Sequence, residues 1–494
     1  MENQVPWQEP QREPLPAFET GKRELLFGLL LLISALGLCN FTLFGGFNLG
    51  FAIAQVACIA CAFFYLLASG CAPDWYSGSL LELSVIIAAG FARSDDGFVK
   101  FVMFCFLTVS TNLGLCLMAN KNRHRPGSLT TLLDAPGTFF RLGFGKLPEA
   151  FHGLGAAFRK SGSAGQKGGA FLLGVFLCIP LLAIMIPLLM SADAAFDGLM
   201  GLLPEFDLEE LLATVIFGLL LWAVLYTRAV ALRKAPAGEA APRQRKGIHA
   251  ITVNTVLGAA GLVYLVYLLS QLAYFSGGFA GILPEGYSVA EYARRGFFEM
   301  ALLSGIDLTV MVFSLGLVRR EGSAPLATKL LCLFLGVVTL FLVSTASAKM
   351  FLYIGSFGLT SLRVLTQIVM LFMAITTVII CVWLFLPKLP YMKVLLLVAL
   401  TMGAVTLWVD VDTQVARYNV DAYLSGRLET VDVLYLYQLG DEGIPQLARL
   451  MQEATDIGVQ SNAKRYLSRA EGNAPEDFRE WNYVNQKALE YIGN

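Results

Sequence analysis

Charged side chains are scarce in this chain. Aspartate, glutamate, lysine and arginine make up 15% of the 494 residues, whereas 56% of the residues are hydrophobic. A soluble protein uses roughly 25% charged residues, so the apolar excess is expected to face lipid rather than water. The net charge of −1 provides no basic field for nucleic acid, and we therefore expect no nucleic-acid partner.

Residue patterns of the common catalytic and metal sites are also missing. The three histidines, His124, His152 and His249, lie in or beside basic loops and form no HExxH motif. Neither a GxxxxGKS/T nucleotide-binding loop nor a GxSxG nucleophile elbow occurs. Every cysteine except Cys71 lies in an apolar run, where cysteine behaves as a small hydrophobic residue. We therefore expect no catalytic residue, no metal and no cofactor, and hence no enzyme.

Long apolar runs dominate what is present. A helix needs about 20 mainly apolar residues to cross a bilayer, and ten runs are about that long. They lie near residues 25–44, 49–69, 98–119, 169–190, 208–231, 248–275, 297–318, 328–350, 362–386 and 392–409. An eleventh run, 79–91, is shorter and carries Glu82, which is typical of a thin span or of a re-entrant segment. The sequence predicts an all-α polytopic transmembrane helical bundle of about eleven spans in contact with the lipid bilayer.

The distribution of lysine and arginine predicts the orientation of these spans. Loop 120–168 is rich in both, whereas the loop that carries Asp193 contains neither. Because basic loops stay in the cytoplasm, we expect a multi-pass cell-membrane protein whose residues after 409 lie outside the cell. The side of the N-terminus depends on whether 79–91 spans. Aromatic residues of the basic loop, such as Phe139 and Phe144, indicate either a segment lying at the membrane interface or an ordinary linker.

Composition divides the chain into four parts. These are an N-terminal tail with the front spans (1–119), a basic cytoplasmic or interfacial loop (120–168), the main bundle (169–409) and a polar tail (410–494). In the tail, Thr430 can begin a helix that Gly440 ends, and Pro445 suits the first turn of the next helix. We expect a small extracytoplasmic α-helical tail that offers a site for a protein partner, and the sequence indicates no particular oligomeric state.

Charged residues near the outer ends of several spans form a candidate site. Glu291, Arg295 and Glu299 follow an i, i+4, i+8 spacing and therefore share one helix face, with Arg294 beside them. Asp410 and Asp412 end the last span at the same level. The complete candidate set is Asp193, Glu291, Arg294, Arg295, Glu299, Asp307, Lys349 and Arg363. Two interpretations remain open: a layer of ion pairs that holds helix ends in register, and a vestibule for an ion or polar ligand.

Asp307 differs from the others because it lies near the middle of the run 297–318. An acid at that depth costs about 2.5–3.5 kcal/mol on insertion scales, so it is expected to face the bundle and to have a partner. It is either a proton or cation relay, or a neutral, hydrogen-bonded structural acid. The polar residues of other spans that are candidate partners are Asn254, Gln271, Ser344, Thr345 and Lys349.

Three stretches of sequence carry a family resemblance. They are LLMSAD at 188–193 with Phe196, EYARRGFFE at 291–299, and residues 419–436 with Tyr423, Leu424 and Gly426. Together they resemble a bacterial family of uncharacterised multi-span membrane proteins, the DUF4153/DUF4173 group, over roughly 169–450. The resemblance implies an envelope protein and implies no catalytic residue.

Two functional hypotheses follow from these observations. The first is a non-enzymatic protein of the bacterial cell envelope with a sensing, regulatory or partner-binding role through its outer tail. The second is a secondary transporter or ion-coupled permease that uses Asp307, although no internal repeat of the kind common in such carriers is evident.

Overall fold

The computed structural model describes 21–120, 134–145, 208–234, 248–278, 297–317, 325–470, 474–475 and 477–492, together with eight further positions from 147 to 190. Every secondary-structure element that has a residue range in this part of the chain is a helix, which confirms the predicted all-α class. The first eleven helices are α1 (Lys22–Gly45), α2 (Leu49–Ala68), α3 (Trp75–Gly90), α4 (Gly97–Met118), α5 (Asp134–Phe144), α6 (Leu208–Lys234), α7 (Ala250–Gly278), α8 (Phe297–Leu317), α9 (Leu326–Phe357), α10 (Ser361–Phe385) and α11 (Tyr391–Val409).

Nine of these described helices are long and apolar enough to cross a membrane; the exceptions are α3 and α5. They coincide with nine of the predicted runs, and α3, with 16 residues, coincides with the short run 79–91. The run 169–190 lies almost entirely outside the described residues, so the total of eleven spans stays a prediction. Large apolar side chains such as Ile33, Val263 and Leu362 are exposed on these helices, as lipid contact requires. The chain is an integral membrane protein.

The chain forms two compact units, each described here by itself. Unit 1 comprises 1–92, 104–240 and 475–481. In its core, Trp222 of α6 donates a hydrogen bond to the Gly28 carbonyl of α1 at 2.9 Å. Residues 479 and 481 contact the start of α2, where the Leu49 amide donates to the Trp481 carbonyl at 3.1 Å and the Gly50 amide donates to the Arg479 carbonyl at 3.2 Å. Part of the polar C-terminal region therefore belongs to this front unit.

Unit 2 comprises 93–103, 241–474 and 482–494. After α11, its helices are α12 (Val411–Leu424), α13 (Val433–Gln438), α14 (Ile444–Glu453), α15 (Ile457–Leu467) and α16 (Tyr483–Ile492), with a 3₁₀ turn at Gly440–Glu442. We call α12 to α15 the tail helices. They share a hydrophobic core that includes Val420, Leu436, Leu447 and Ala463.

Proline, aspartate and glycine residues define the ends of the tail helices. Pro445 lies in the first turn of α14, as predicted. The prediction that Thr430 caps α13 is wrong, because Asp432 accepts the hydrogen bond from the Tyr435 amide at 2.9 Å. Gly440 follows the end of α13 with φ +70°, the left-handed geometry that commonly ends a helix.

Candidate functional site

The last membrane helix is separated from the tail by a single residue. Asp410 follows α11 and precedes α12 with φ +56°, a left-handed conformation that aspartate tolerates better than most residues do. Its Oδ2 accepts a hydrogen bond from the Thr413 hydroxyl at 2.5 Å. Asp410 is thus the one residue between the two helices, and its side chain bonds to the first turn of α12.

The tail helices are held on the turn between α9 and α10 by one asparagine. Asn419 Oδ1 accepts from the Leu359 amide at 2.7 Å, and Asn419 Nδ2 donates to the Leu359 carbonyl at 2.8 Å. Gly358 precedes this peptide with φ +72°, and a Cβ at that position would lie 2.5 Å from Asn419 Oδ1. The contact therefore requires glycine both for its backbone geometry and for space.

A second contact joins the start of α10 to the tail helices. The Ser361 amide donates to the Tyr435 hydroxyl of α13 at 2.9 Å, and the two hydroxyls are 3.1 Å apart. The Ser361 hydroxyl also donates to the carboxylate of Asp412 on α12. Tail helices α12 and α13 are thus bonded to the same end of the membrane helices.

Carboxyl groups from three distant parts of the sequence meet at this junction. We call Asp95, Asp410, Asp412 and Glu442 the carboxyl cluster. Glu442 lies in the 3₁₀ turn and accepts a hydrogen bond from the Asp95 amide at 3.2 Å. Asp410 and Glu442 are only 4% and 5% exposed, and Asp412 is also buried. Within the described part of the chain, no group of three or more His, Cys, Asp or Glu residues is arranged to hold a metal ion.

Burial raises the pKa of the inner carboxyl groups. It raises the pKa of Glu442 to about 9, and the nearby Asp410 charge adds to that effect. The pKa of Asp410 rises to about 6, also through burial, although the Thr413 hydrogen bond opposes the rise. Burial raises the pKa of Asp412 as well, against the opposing hydrogen bond from Ser361. Glu442 is therefore suited to holding a proton at neutral pH, and Asp410 is suited to holding one in mildly acidic conditions.

Two basic residues lie next to the carboxyl cluster. Arg93 donates to the Trp408 carbonyl at 2.7 Å, lies 4.5 Å from the centre of the Tyr483 ring, and favours the charged form of Asp410. Lys100 pairs with Asp95 at 3.0 Å. Even so, Asp410 Oδ1 is buried and accepts no hydrogen bond from the described residues. A buried polar atom without a partner typically costs about 1–3 kcal/mol, which favours protonation of this carboxyl.

The charge layer that the sequence predicts is partly outside the described residues, since Asp193, Glu291, Arg294 and Arg295 all fall there. Arg363 is not in an ion pair among the described residues. It donates to the Phe357 carbonyl at 3.2 Å and to that of Gly358, and so satisfies the end of α9. Its guanidinium lies 4.4 Å from the Tyr353 ring centre.

Two further members of the predicted layer lie on neighbouring helices. Glu299 is exposed in the first turn of α8, and it interacts electrostatically with Lys349 of α9. The Lys349 nitrogen and the Glu299 carboxylate oxygens are more than 4 Å apart, so their interaction is weaker than a direct salt bridge.

Asp307 is buried between three membrane helices, with 3% of its surface exposed. Its Oδ1 accepts from the Tyr264 hydroxyl of α7 at 2.8 Å, and its Oδ2 accepts from the Thr339 hydroxyl of α9 at 3.2 Å. The side chain therefore faces the bundle, but its partners are not those that the sequence suggests. Asn254, for example, accepts instead from Thr328 at 2.7 Å.

The comparison with known families reveals one match. The family described as "Domain of unknown function (DUF4153)" matches residues 79–450, three quarters of the chain. The chain belongs to this family. Searches of the curated proteins and of the solved structures gave no match. The DUF4153 region begins well before residue 169, where the resemblance in the sequence begins, and it contains the entire carboxyl cluster.

Sequence reasoning misses two residues of the DUF4153 chain that are central to this junction. Asn419 and Glu442 both lie in polar stretches, where a solvent-exposed position is the ordinary expectation. Glu442 does stand between two glycines in Gly440-Asp441-Glu442-Gly443, which indicates a tight turn. The sequence predicts the turn, but it does not predict the burial of Glu442 or its contact with the Asp95 amide.

Proposed function

We propose that this chain is a non-enzymatic regulatory protein of the bacterial cell envelope whose extracytoplasmic tail helices respond to protonation of the carboxyl cluster. One observation carries the proposal: the buried carboxyl groups of Asp410, Asp412 and Glu442 lie where the tail helices bond to the ends of the membrane helices, and Glu442 accepts a hydrogen bond from the amide of the exposed Asp95. A change in charge there acts directly on the contact between the two parts.

The contacts of the tail helices support a role in coupling. They bond to the α9–α10 turn through Asn419 and to the start of α10 through Tyr435, and the 3₁₀ turn between α13 and α14 bonds to the Asp95 amide through Glu442. A movement of the tail helices away from the membrane helices breaks these contacts together. The reverse also holds, so a shift of the helix ends changes the position of the tail helices.

The direction of the pH response follows from the raised pKa values. We call the arrangement with these contacts formed the docked state. In the docked state Glu442 and Asp410 have raised pKa values, whereas in an undocked state they are hydrated and lose their protons at lower pH. Acid therefore favours docking. The contribution of these two carboxyl groups to the docking free energy is fully present below about pH 4, where they are protonated in both the docked and the undocked state. It then falls as the pH rises towards the raised pKa values, which are about 6 for Asp410 and about 9 for Glu442.

Hydrogen exchange in the full-length protein in lipid nanodiscs tests this function. The Leu359 amide, which donates to Asn419, is the reporter. After correction for the intrinsic pH dependence of exchange, its protection should fall between pH 5 and pH 9. Glu442→Gln should flatten that fall, because an amide cannot lose the proton. Glu429→Gln, at an exposed acid of the same region, is the matched control. Protection that is independent of pH in the wild type contradicts the proposal.

The outer location of the tail is part of the proposal. The tail leaves the end of α11 that is opposite to Lys388 and Lys393, and basic residues favour the cytoplasmic side. The tail contains no cysteine, so a Ser461→Cys variant places one thiol at an exposed position of α15. A membrane-impermeant maleimide should label it in intact cells. Labelling that requires permeabilised cells places the tail inside instead.

A second function, ion-coupled transport, is favoured by Asp307. Its carboxylate is held mid-span by hydroxyl groups from two other helices, an arrangement that also suits a relay. Reconstituted protein should then show flux driven by a pH gradient, and Asp307→Asn should abolish it. Flux that is undiminished in this variant removes the transport hypothesis and leaves Asp307 as a structural acid.

A further inference from the structure

Unit 1 contains an apolar cavity of about 410 Å³. Its wall is formed by α1, α2, α4 and α6, with one side chain from α5. Representative lining residues are Leu38, Phe51, Ile59, Phe104 and Leu221. Ligand sites in proteins typically have volumes of about 300–1,000 Å³ and are mainly apolar with a few placed polar groups. The size and lining of this cavity fit that description.

The polar groups of the cavity include a buried arginine. Arg228 lines the cavity and is 4% exposed. Its Nη2 donates to the backbone carbonyl of Asn112 at 3.0 Å, but its Nε has no hydrogen-bond partner among the described residues. No described carboxylate lies within 4 Å of its guanidinium. Arginine stays protonated in proteins, so a full positive charge is buried here.

Two neighbouring polar atoms on α4 are also without partners. The Thr111 hydroxyl and Asn112 Oδ1 are buried, line the same cavity and have no hydrogen bond to the described residues. Together with Arg228 they offer a cationic N–H donor, a hydroxyl group and a carbonyl acceptor. Buried polar groups are normally paired, and a buried charge without a partner is especially costly. Three such atoms around one cavity indicate a ligand rather than three independent defects.

Helix α5 covers the arginine end of this cavity. Gly143 packs so closely on α6 that a Cβ there would lie 2.9 Å from the Val224 side chain. The Phe139 ring lines the cavity and lies 5.8 Å from the Arg228 guanidinium carbon. Phe140 and Phe144 of the same helix are exposed. A short helix with aromatic residues on its outer face is typical of the membrane interface, the depth at which lipid headgroups lie.

We infer that this cavity binds an anionic lipid, with one acyl chain in the apolar part and a headgroup oxygen on Arg228. The Arg228 Nε–H donates to the anionic oxygen, and Asn112 Oδ1 accepts from a headgroup hydroxyl. Thr111 is able to do either. A charge-assisted hydrogen bond of this kind is roughly twice as strong as a neutral one, so the headgroup charge determines selectivity. The anionic oxygen belongs either to a free fatty acid or to a glycerophospholipid.

Binding of three oleoyl ligands to the purified full-length protein tests the inference. They are oleate, lysophosphatidylglycerol and the uncharged monooleoylglycerol, which shares the chain and hydroxyl groups of the second. We expect at least one anionic ligand to bind with about 1:1 stoichiometry and at least about tenfold more tightly than the uncharged one. Whether oleate or the phospholipid binds more tightly identifies the headgroup. Equal affinity for charged and uncharged ligands overturns the inference.

Two variants separate the headgroup site from the cavity itself. Arg228→Gln should remove the preference for anionic ligands, whereas Arg233→Gln should keep it. Arg233 is a matched control because it lies on the same helix but is paired with Glu24, outside the cavity lining. If Arg228→Gln fails to fold, Ala62→Phe, which fills the apolar part, should abolish binding of all three ligands while the protein keeps its melting temperature. Unchanged anionic binding in a folded Ala62→Phe protein contradicts the proposed location.

Discussion

Removal of the Asn419 carboxamide should release the tail helices from the α9–α10 turn. In Asn419→Ala both hydrogen bonds to the Leu359 peptide are lost, and the Leu359 N–H and carbonyl are left without them. Each lost hydrogen bond weakens docking by about 1 kcal/mol, and the buried groups left unpaired add a further penalty. The free energy of docking should therefore fall by about 2–4 kcal/mol. Exchange that requires undocking should accelerate by about 30- to 1,000-fold.

Hydrogen exchange read from overlapping peptides measures this effect. The informative amide is that of Ser361, which donates to Tyr435 and not to Asn419. It accelerates only if the tail helices leave the membrane helices as a unit. Asn462→Ala, at an exposed asparagine of α15, is the matched control and should leave exchange unchanged. Acceleration confined to Leu359, with Ser361 fully protected, refutes the idea that Asn419 holds the tail helices in place.

Three further predictions concern the junction and the mid-span acid. Gly358→Ala should weaken docking at least as much as Asn419→Ala does, because the new Cβ would clash with Asn419 Oδ1 and alanine is strained at φ +72°. Faster proteolysis of the tail measures this effect. Asp410→Asn should stabilise the docked tail at pH 8 by up to about 3 kcal/mol, because it removes a buried carboxylate whose pKa is raised from 3.8 to about 6. The melting temperature in nanodiscs measures this. Asp307→Leu should lower the melting temperature more than Asp307→Asn does, because only asparagine can still bond to Tyr264 and Thr339.

The membrane helices are predictable from sequence because one physical requirement dominates them. A helix in hydrocarbon must be long and apolar, so the run 98–119 corresponds to α4 within one residue at each end. The inward direction of Asp307 is predictable on the same basis, because a carboxyl at that depth must avoid lipid. Its partners depend on how three helices pack, which no spacing along the chain determines.

Burial of polar residues at the junction and in unit 1 is much harder to predict. Asn419 and Glu442 lie in polar stretches, and their burial arises from contacts with residues 60 or more positions away along the chain. Arg228 lies three residues before the end of the run 208–231, where a basic residue is typical of a cytoplasmic helix end. Any charge inside an apolar run has to avoid lipid, so the position of Arg228 within run 208–231 indicates burial in the same way as the position of Asp307 does.

Infrared difference spectroscopy gives the most direct test of whether the carboxyl cluster holds protons at neutral pH. The spectrum of the full-length protein at pH 7 should contain the C=O stretch of a protonated, buried carboxylic acid, because the pKa of Glu442 is raised to about 9. That band should be weaker in Glu442→Gln, which lacks this acid, and unchanged in Glu429→Gln, and the wild-type band should weaken as the pH rises past 9. A wild-type spectrum at pH 7 that matches the Glu442→Gln spectrum in this region contradicts a proton-dependent junction.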